Sequence, residues 1–228
     1  MHVVLLTVAD PEIGLGHLYR CDALAQALTL EGASPTLAVS CRTGEEWLRA
    51  HAPESPYELA IWNDRVSVAR NSIRDMDLVV VDSYVISNEV RKYLVGQPVL
   101  VAWFDDLGEE IPDRGIIING GPGAQYISYP PTPERRYLLG LDYQVLRRPF
   151  WSRSTKRVRS SVEQIGVMIG GTDPLNSTER IVSLLLRFTS AQVVVIGRRP
   201  LGLEDGDRMT TMGFMTARGI RETFRHLD

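Results

Sequence analysis

Two Rossmann-like α/β units in tandem, the second of them incomplete, are what the sequence predicts, and three features predict them. The apolar run Val3 to Val8 leads into Gly14-Leu15-Gly16, after which Leu18, Cys21, Leu24, Ala25 and Leu28 recur at helical spacing: strand, glycine turn, helix. Three further apolar runs, Asp77 to Asp82, Pro98 to Phe104 and Ile116 to Ile118, each end in polar residues, the pattern of buried parallel strands delivering side chains to one edge. At Ile165 to Ile169 the opening organisation begins again, with Gly170-Gly171 as its turn. Strands alternating with helices argue for parallel sheets, and two such halves for a cleft between them.

Taken in order, the first helix is followed by a strand over Pro35 to Ser40 and a short helix over Gly44 to Ala50. Residues 51 to 65 carry Pro53 and Pro56 with no clear period and read as loop. A helix over Val66 to Ile73 precedes the strand ending in Asp82-Ser83-Tyr84, and another over Ser87 to Leu94 precedes the strand ending in Asp105-Asp106. Ile116 to Ile118 runs out into Asn119-Gly120-Gly121-Pro122-Gly123. Residues 124 to 163, rich in proline and arginine, read as a crossing between domains at 1–150 and 151–228. The second domain continues with a helix over Thr178 to Phe188, a strand over Val193 to Gly197, a short strand over Met209 to Gly213 and a helix over Ile220 to Asp228.

Composition narrows the function. With 228 residues, 44% of them hydrophobic and 23% charged, the chain is long enough for a real core. A net charge of −3 leaves no electrostatic footprint for nucleic acid. The basic run Arg153 to Arg159 has no interleaved aromatic residues and reads as a solvated surface. No apolar run reaches the roughly 18 residues of a membrane span. The two cysteines, Cys21 and Cys41, lack metal-ligand spacing and nothing at the N-terminus resembles a signal peptide, so free thiols in a cytoplasmic protein are expected.

The chemistry gathers around residues 14 to 17. Gly14 and Gly16 let the backbone approach a ligand closely, and the first free N–H groups of the helix favour an anion there. His17 stands at that helix start, where the macrodipole favours the neutral ring able to accept a proton. Tyr19 occupies the third-glycine position of a dinucleotide fingerprint, which sets a nicotinamide cofactor aside; no cofactor is expected. Each residue also has a structural reading: His17 as a cap or packing residue, Asp82 or Asp106 as a helix cap, Asn119 as part of a plain turn. Asp105-Asp106 could hold Mg²⁺, but with no third oxygen ligand evident, caps or sugar-hydroxyl acceptors are the expectation, and no metal site is expected.

Five motifs in order carry a resemblance: Gly14-x-Gly16-His17-x-x-Arg20-Cys21-x-x-Leu24-Ala25, Asp82-Ser83-Tyr84, Asp105-Asp106, Gly140-x-x-Tyr143-x-x-Leu146-Arg147 and Gly170-Gly171-Thr172-Asp173-x-x-Asn176. Over about residues 1 to 200 the chain resembles the UDP-sugar hydrolases of the pseudaminic acid pathway, also described as spore-coat polysaccharide biosynthesis proteins and related to MurG-type glycosyltransferases. The resemblance implies a GT-B fold, the sugar held by the N-terminal domain and the nucleotide mostly by the C-terminal one. It implies hydrolysis of a UDP-linked 2,4-diacetamido-2,4,6-trideoxyhexose at the anomeric carbon, releasing UDP, with His17 as the base that activates water; a MurG-like glycosyltransferase and a non-catalytic sugar-binding remnant are the alternatives. Tyr84 falls on an active-site tyrosine position, and Gly14, Gly16, Arg20, Asp82, Asp105, Asp106 and Asn119 complete the expected sugar side. Gly170, Gly171 and Thr172 fall on the loop facing the diphosphate, with Asp173 and Asn176 beside them. The family continues past Gly197 with a further glycine-rich loop and an acidic residue that bind the nucleotide, positions absent here. Weak UDP binding by this chain is therefore expected, with a mobile second domain or one that pairs with a second copy.

Overall fold

The computed structural model describes residues 1–52, 58–108, 112–152, 159–170, 173 and 175–228. They form two compact units, one of Met1–Ile13 with His17–Arg148, the other of Gly14–Gly16 with Pro149–Asp228.

The first unit contains β1 (His2–Val8), α1 (Gly16–Leu30), β2 (Ser34–Ser40), α2 (Glu45–His51), β3 (Glu58–Ile61), α3 (Val66–Ser72), β4 (Leu78–Asp82), α4 (Asn88–Val95), β5 (Leu100–Phe104), β6 (Gly115–Asn119) and β7 (Arg135–Leu139). The seven strands form one sheet in the order β3-β2-β1-β4-β5-β6-β7, with every pairing parallel. The central strands are apolar along their length because both faces are covered: β1 is buried from Val3 to Val8 and β4 from Val79 to Asp82. On one face Val4, Leu6, Val79, Val81, Trp103 and Ile117 pack with Ala69 of α3 and with Val90 and Leu94 of α4. Ser87 starts α4 by accepting a hydrogen bond from the Val90 amide at 3.3 Å. The sheet order reverses at β1, whose neighbours are β2 and β4. That reversal opens a crevice outside the C-terminal ends of β1 and β4.

Two elements differ from the sequence expectation. Residues 51 to 65 are not all loop, since β3 pairs alongside β2. The expected crossing over residues 124 to 163 instead contributes β7, in register with β6 from Gly115↔Arg135 to Asn119↔Leu139. Both are edge strands with few buried residues, so neither carries the continuous apolar run that marks a central strand. The units divide between Arg148 and Pro149.

The second unit contains β8 (Gln164–Val167), α5 (Ser177–Phe188), β9 (Gln192–Val195), β10 (Met209–Thr211) and α6 (Ala217–His226). Its three strands are parallel in the order β10-β9-β8. Val167, Val193, Val195 and Met209 of the sheet pack with Val182 of α5, while Leu227, just past α6, lies so close to Gly166 that a Cβ there would collide with it. Residues 153 to 158, most of the basic run, lie outside the described residues.

Candidate active site

The loop between β1 and α1 is shaped first by Asp10. Its Oδ1 accepts the backbone N–H groups of Glu12 at 2.9 Å and Ile13 at 2.8 Å, an Asx turn that aims the chain toward Gly14. Gly14 has φ 89°, a conformation in which a side chain would be strained. α1 begins two residues later, and His17 in its first turn is 7% exposed.

What holds the imidazole is Asp82, the last residue of β4, aligned with Thr7 of β1 and 1% exposed. His17 Nδ1 lies 2.6 Å from Asp82 Oδ1. A carboxylate only accepts, so Nδ1 carries the proton; with the ring neutral, the lone pair lies on Nε2. This contact spans the crevice at the sheet's switch point. The helix-cap reading of Asp82 is thereby overturned.

Arg20, one turn further along α1, ties the strand ends together. Its Nε donates to Asp82 Oδ2 at 2.7 Å, while Nη1 and Nη2 donate to Asp106 Oδ1 at 2.7 Å and Oδ2 at 2.8 Å; Nη2 also donates to Asp82 Oδ1. Its Cζ stands 4.4 Å above the centre of the Phe104 ring. Burial works to lower the guanidinium pKa, but hydrogen bonds and charge from Asp82 and Asp106 outweigh it and raise it. For Asp106, burial works upward, and the hydrogen bonds and charge of Arg20 with the Tyr84 hydroxyl outweigh it, so its carboxyl sits below the ordinary range. Tyr84 donates to Asp106 Oδ2 at 2.7 Å, and its ring meets His17 edge-on at 4.4 Å between centroids. Burial, then the Asp106 hydrogen bond and charge, push the phenol up to about 12. Cys21 lies fully buried with Sγ 3.7 Å from Asp82 Oδ2, its thiol pushed up first by burial and then by the Asp82 charge.

His17, Arg20, Asp82, Tyr84 and Asp106 thus form one connected group. Asp105 and Asn119, on the same edge, belong to a different one. Asp105 Oδ1 accepts the Gly108 amide at 2.8 Å. Asn119 accepts the Gly121 amide at 3.0 Å and donates to the Tyr129 hydroxyl at 3.1 Å, which in turn donates to the Asp105 carbonyl at 3.4 Å. Those contacts shape the loops after β5 and β6. Both Asp106 oxygens are already engaged, and among the described residues no group of three or more His, Cys, Asp or Glu is placed to hold a metal.

In the second unit Gly170 has φ 59° with open space where a side chain would stand; Gly171 and Thr172 lie outside the described residues. Asp173 accepts the first amides of α5, from Ser177 and Thr178 at 2.9 Å each. Desolvation raises its pKa, and the hydrogen bonds from Thr178 and Ser177 with the Arg198 charge outweigh it, keeping Asp173 ionised below the usual range. Asn176 precedes the helix in the left-handed region, φ 49°, without capping it through its side chain. A carboxylate therefore satisfies the first amides of α5.

Sequence reasoning passed over Asp10, Phe104 and Tyr129. Asp10-Pro11 is a turn-initiating pair that was available as a signal. Phe104 looked like any strand residue, and nothing in the sequence marks it as the surface under Arg20.

No protein-family model matches the chain, and no curated protein matches it. Solved structures do. MurG of Acinetobacter baumannii superposes on 100% of this chain and 71% of its own length with TM-score 0.56. An α-glucosyltransferase in complex with UDP-glucose and DNA containing an abasic site covers 100% of this chain with TM-score 0.50. The fold is GT-B. Identities of 10% and 12% limit these likenesses to the fold. The chain spans 61% of the α-glucosyltransferase's length, in keeping with an incomplete second α/β unit. Among the described residues no helix is long and apolar enough to cross a membrane.

Proposed function

We propose that the chain is a nucleotide-sugar hydrolase that releases UDP and free amino sugar from a UDP-2,4-diacetamido-2,4,6-trideoxyhexose type of substrate, with His17 as general base. The observation that carries this reading is the 2.6 Å contact between His17 Nδ1 and Asp82, which leaves Nε2 to take a proton at the switch point of the sheet. Water attacks the anomeric carbon and gives its proton to Nε2 as the bond to the diphosphate oxygen breaks. Asp82 keeps the ring's tautomer and faces the positive charge it gains. UDP leaves as an anion, and the amides around Gly14 and Gly16 are the groups that receive it. In this reading Arg20 is a positioning residue rather than an anion ligand, because its donors are taken by Asp82 and Asp106. Asp105 and Asn119 position the neighbouring loops, and Tyr84 borders the sugar.

A second reading, transfer to an acceptor hydroxyl, is favoured by the fold it shares with MurG. Both use the same base. Incubating the protein with the UDP-sugar and no acceptor separates them: stoichiometric free sugar and UDP support hydrolysis, whereas UDP released only with an added acceptor supports transfer.

A further inference from the structure

The opposite end of the first sheet carries a groove that the His17 site does not use. It has a volume of about 600 Å³ and is lined by Val95, Leu100, Val101 and Ile116 together with the basic residues Arg114 and Arg136. Such a volume falls within the range of small-ligand sites. It wraps the starts of β5, β6 and β7, whereas Asp106 follows the end of β5; the strand alone separates them by about 13 Å.

Gly115 also lines the groove. Register aligns Gly115 with Arg135 on β7, and period two puts it on the face that carries Trp103, Ile117 and Tyr137. Gly115 has φ 116°, and a Cβ there would collide with the Val101 carbonyl oxygen. A gap in the row of side chains is thus fixed by the backbone. Beside it stands Trp103, 3% exposed, whose Nε1 lies 3.2 Å from where that Cβ would be. This indole N–H has no acceptor among the described residues, an unusual state for a buried donor.

Charge sets the ligand's chemistry. Arg135 is committed to the Pro112 carbonyl and Asp113. Arg114 and Arg136 are exposed, and neither side chain has a hydrogen-bond or ion-pair partner among the described residues. Against these two guanidinium groups the groove sets one carboxylate, Glu134. Apolar walls with two exposed arginines at the rim match an anion on an apolar body.

We propose that this groove is a second ligand site, separate from the nucleotide-sugar site, which takes a small soluble amphiphile with a phosphate or carboxylate head and an apolar body. The apolar part lies along Leu100, Val101 and Ile116, and the head meets Arg114 and Arg136.

Calorimetry on the whole chain with octyl phosphate, octan-1-ol and inorganic phosphate tests it, alongside a titration that follows the Trp103 indole N–H resonance, identified by its loss in Trp103→Phe. Octyl phosphate should bind at one site and move that resonance, with octanol and inorganic phosphate each at least about tenfold weaker. Arg114→Gln with Arg136→Gln should weaken octyl phosphate by about 10- to 100-fold while leaving thermal unfolding and UDP release unchanged. His17→Ala should bind octyl phosphate as wild type does. Undetectable octyl phosphate binding, undiminished binding in the double arginine variant, or loss of binding in His17→Ala would each overturn the proposal.

Discussion

Asp82→Asn removes one negative charge from the centre of the candidate site while preserving shape. Asp82 is 1% exposed and accepts from His17 Nδ1 at 2.6 Å and from Arg20 Nε at 2.7 Å. An asparagine oxygen can serve one of these donors, but its NH₂ then faces the other, donor against donor. Breaking a buried charged pair costs roughly 3–5 kcal/mol; because Arg20 keeps Asp106 as a partner, the lower end applies, about 3 kcal/mol. For a chain of this size that corresponds to a fall in melting temperature of roughly 6–12 °C. Catalysis should suffer separately. The imidazole loses the acceptor that fixes its tautomer, so UDP release should fall by roughly 10²- to 10⁴-fold at a temperature where the variant is still folded. Circular dichroism melting and a coupled UDP assay read the two effects. A variant that melts within about 2 °C of wild type and turns over normally would refute the assignment of Asp82 as the residue that holds His17.

Four further outcomes follow from the same geometry. Asp106→Asn should lower the Tyr84 phenol from about 12 toward its ordinary value, since the Asp106 hydrogen bond and charge help raise it; the difference in ultraviolet titration between this variant and the same variant with Tyr84→Phe reads it. Because the Asp106 carboxyl is held below its ordinary value of 3.8, its stabilisation is present above that pH and lost as pH falls through the lower folded value, so Asp106→Asn should flatten the acid limb of the stability curve measured below about pH 4. Gly14→Ala places a side chain at φ 89° and should cost about 1–2 kcal/mol in denaturant unfolding. A chelator should leave UDP release unchanged, because Asp106 is occupied by Arg20 and Tyr84; loss of activity restored by Mg²⁺ would contradict this.

The parts of the fold legible in the sequence were those whose residues are buried on two sides. β1, β4 and β5 announce themselves because a central parallel strand must be apolar throughout. β3 and β7 stayed hidden because an edge strand tolerates Glu58, Arg135 and Arg136 on its open faces. Within the candidate site, Asp82 and Asp106 could be placed at one edge by counting strand ends, and His17 at the glycine turn that starts α1. Which of them touch could not be read that way. Arg20, expected on the sugar side, is bound by two carboxylates, while Asp105, adjacent to Asp106, turns its carboxylate into its own loop. Neighbours in sequence at a strand end point to opposite faces, and the pairing is decided by side chains from α1 that no local pattern encodes.

The most direct test of the account is the rate of UDP release from the UDP-sugar, without acceptor, by wild type and by His17→Asn. The account predicts a loss of roughly 10²- to 10⁴-fold with little change in substrate binding. Wild-type turnover in the His17→Asn variant would contradict it.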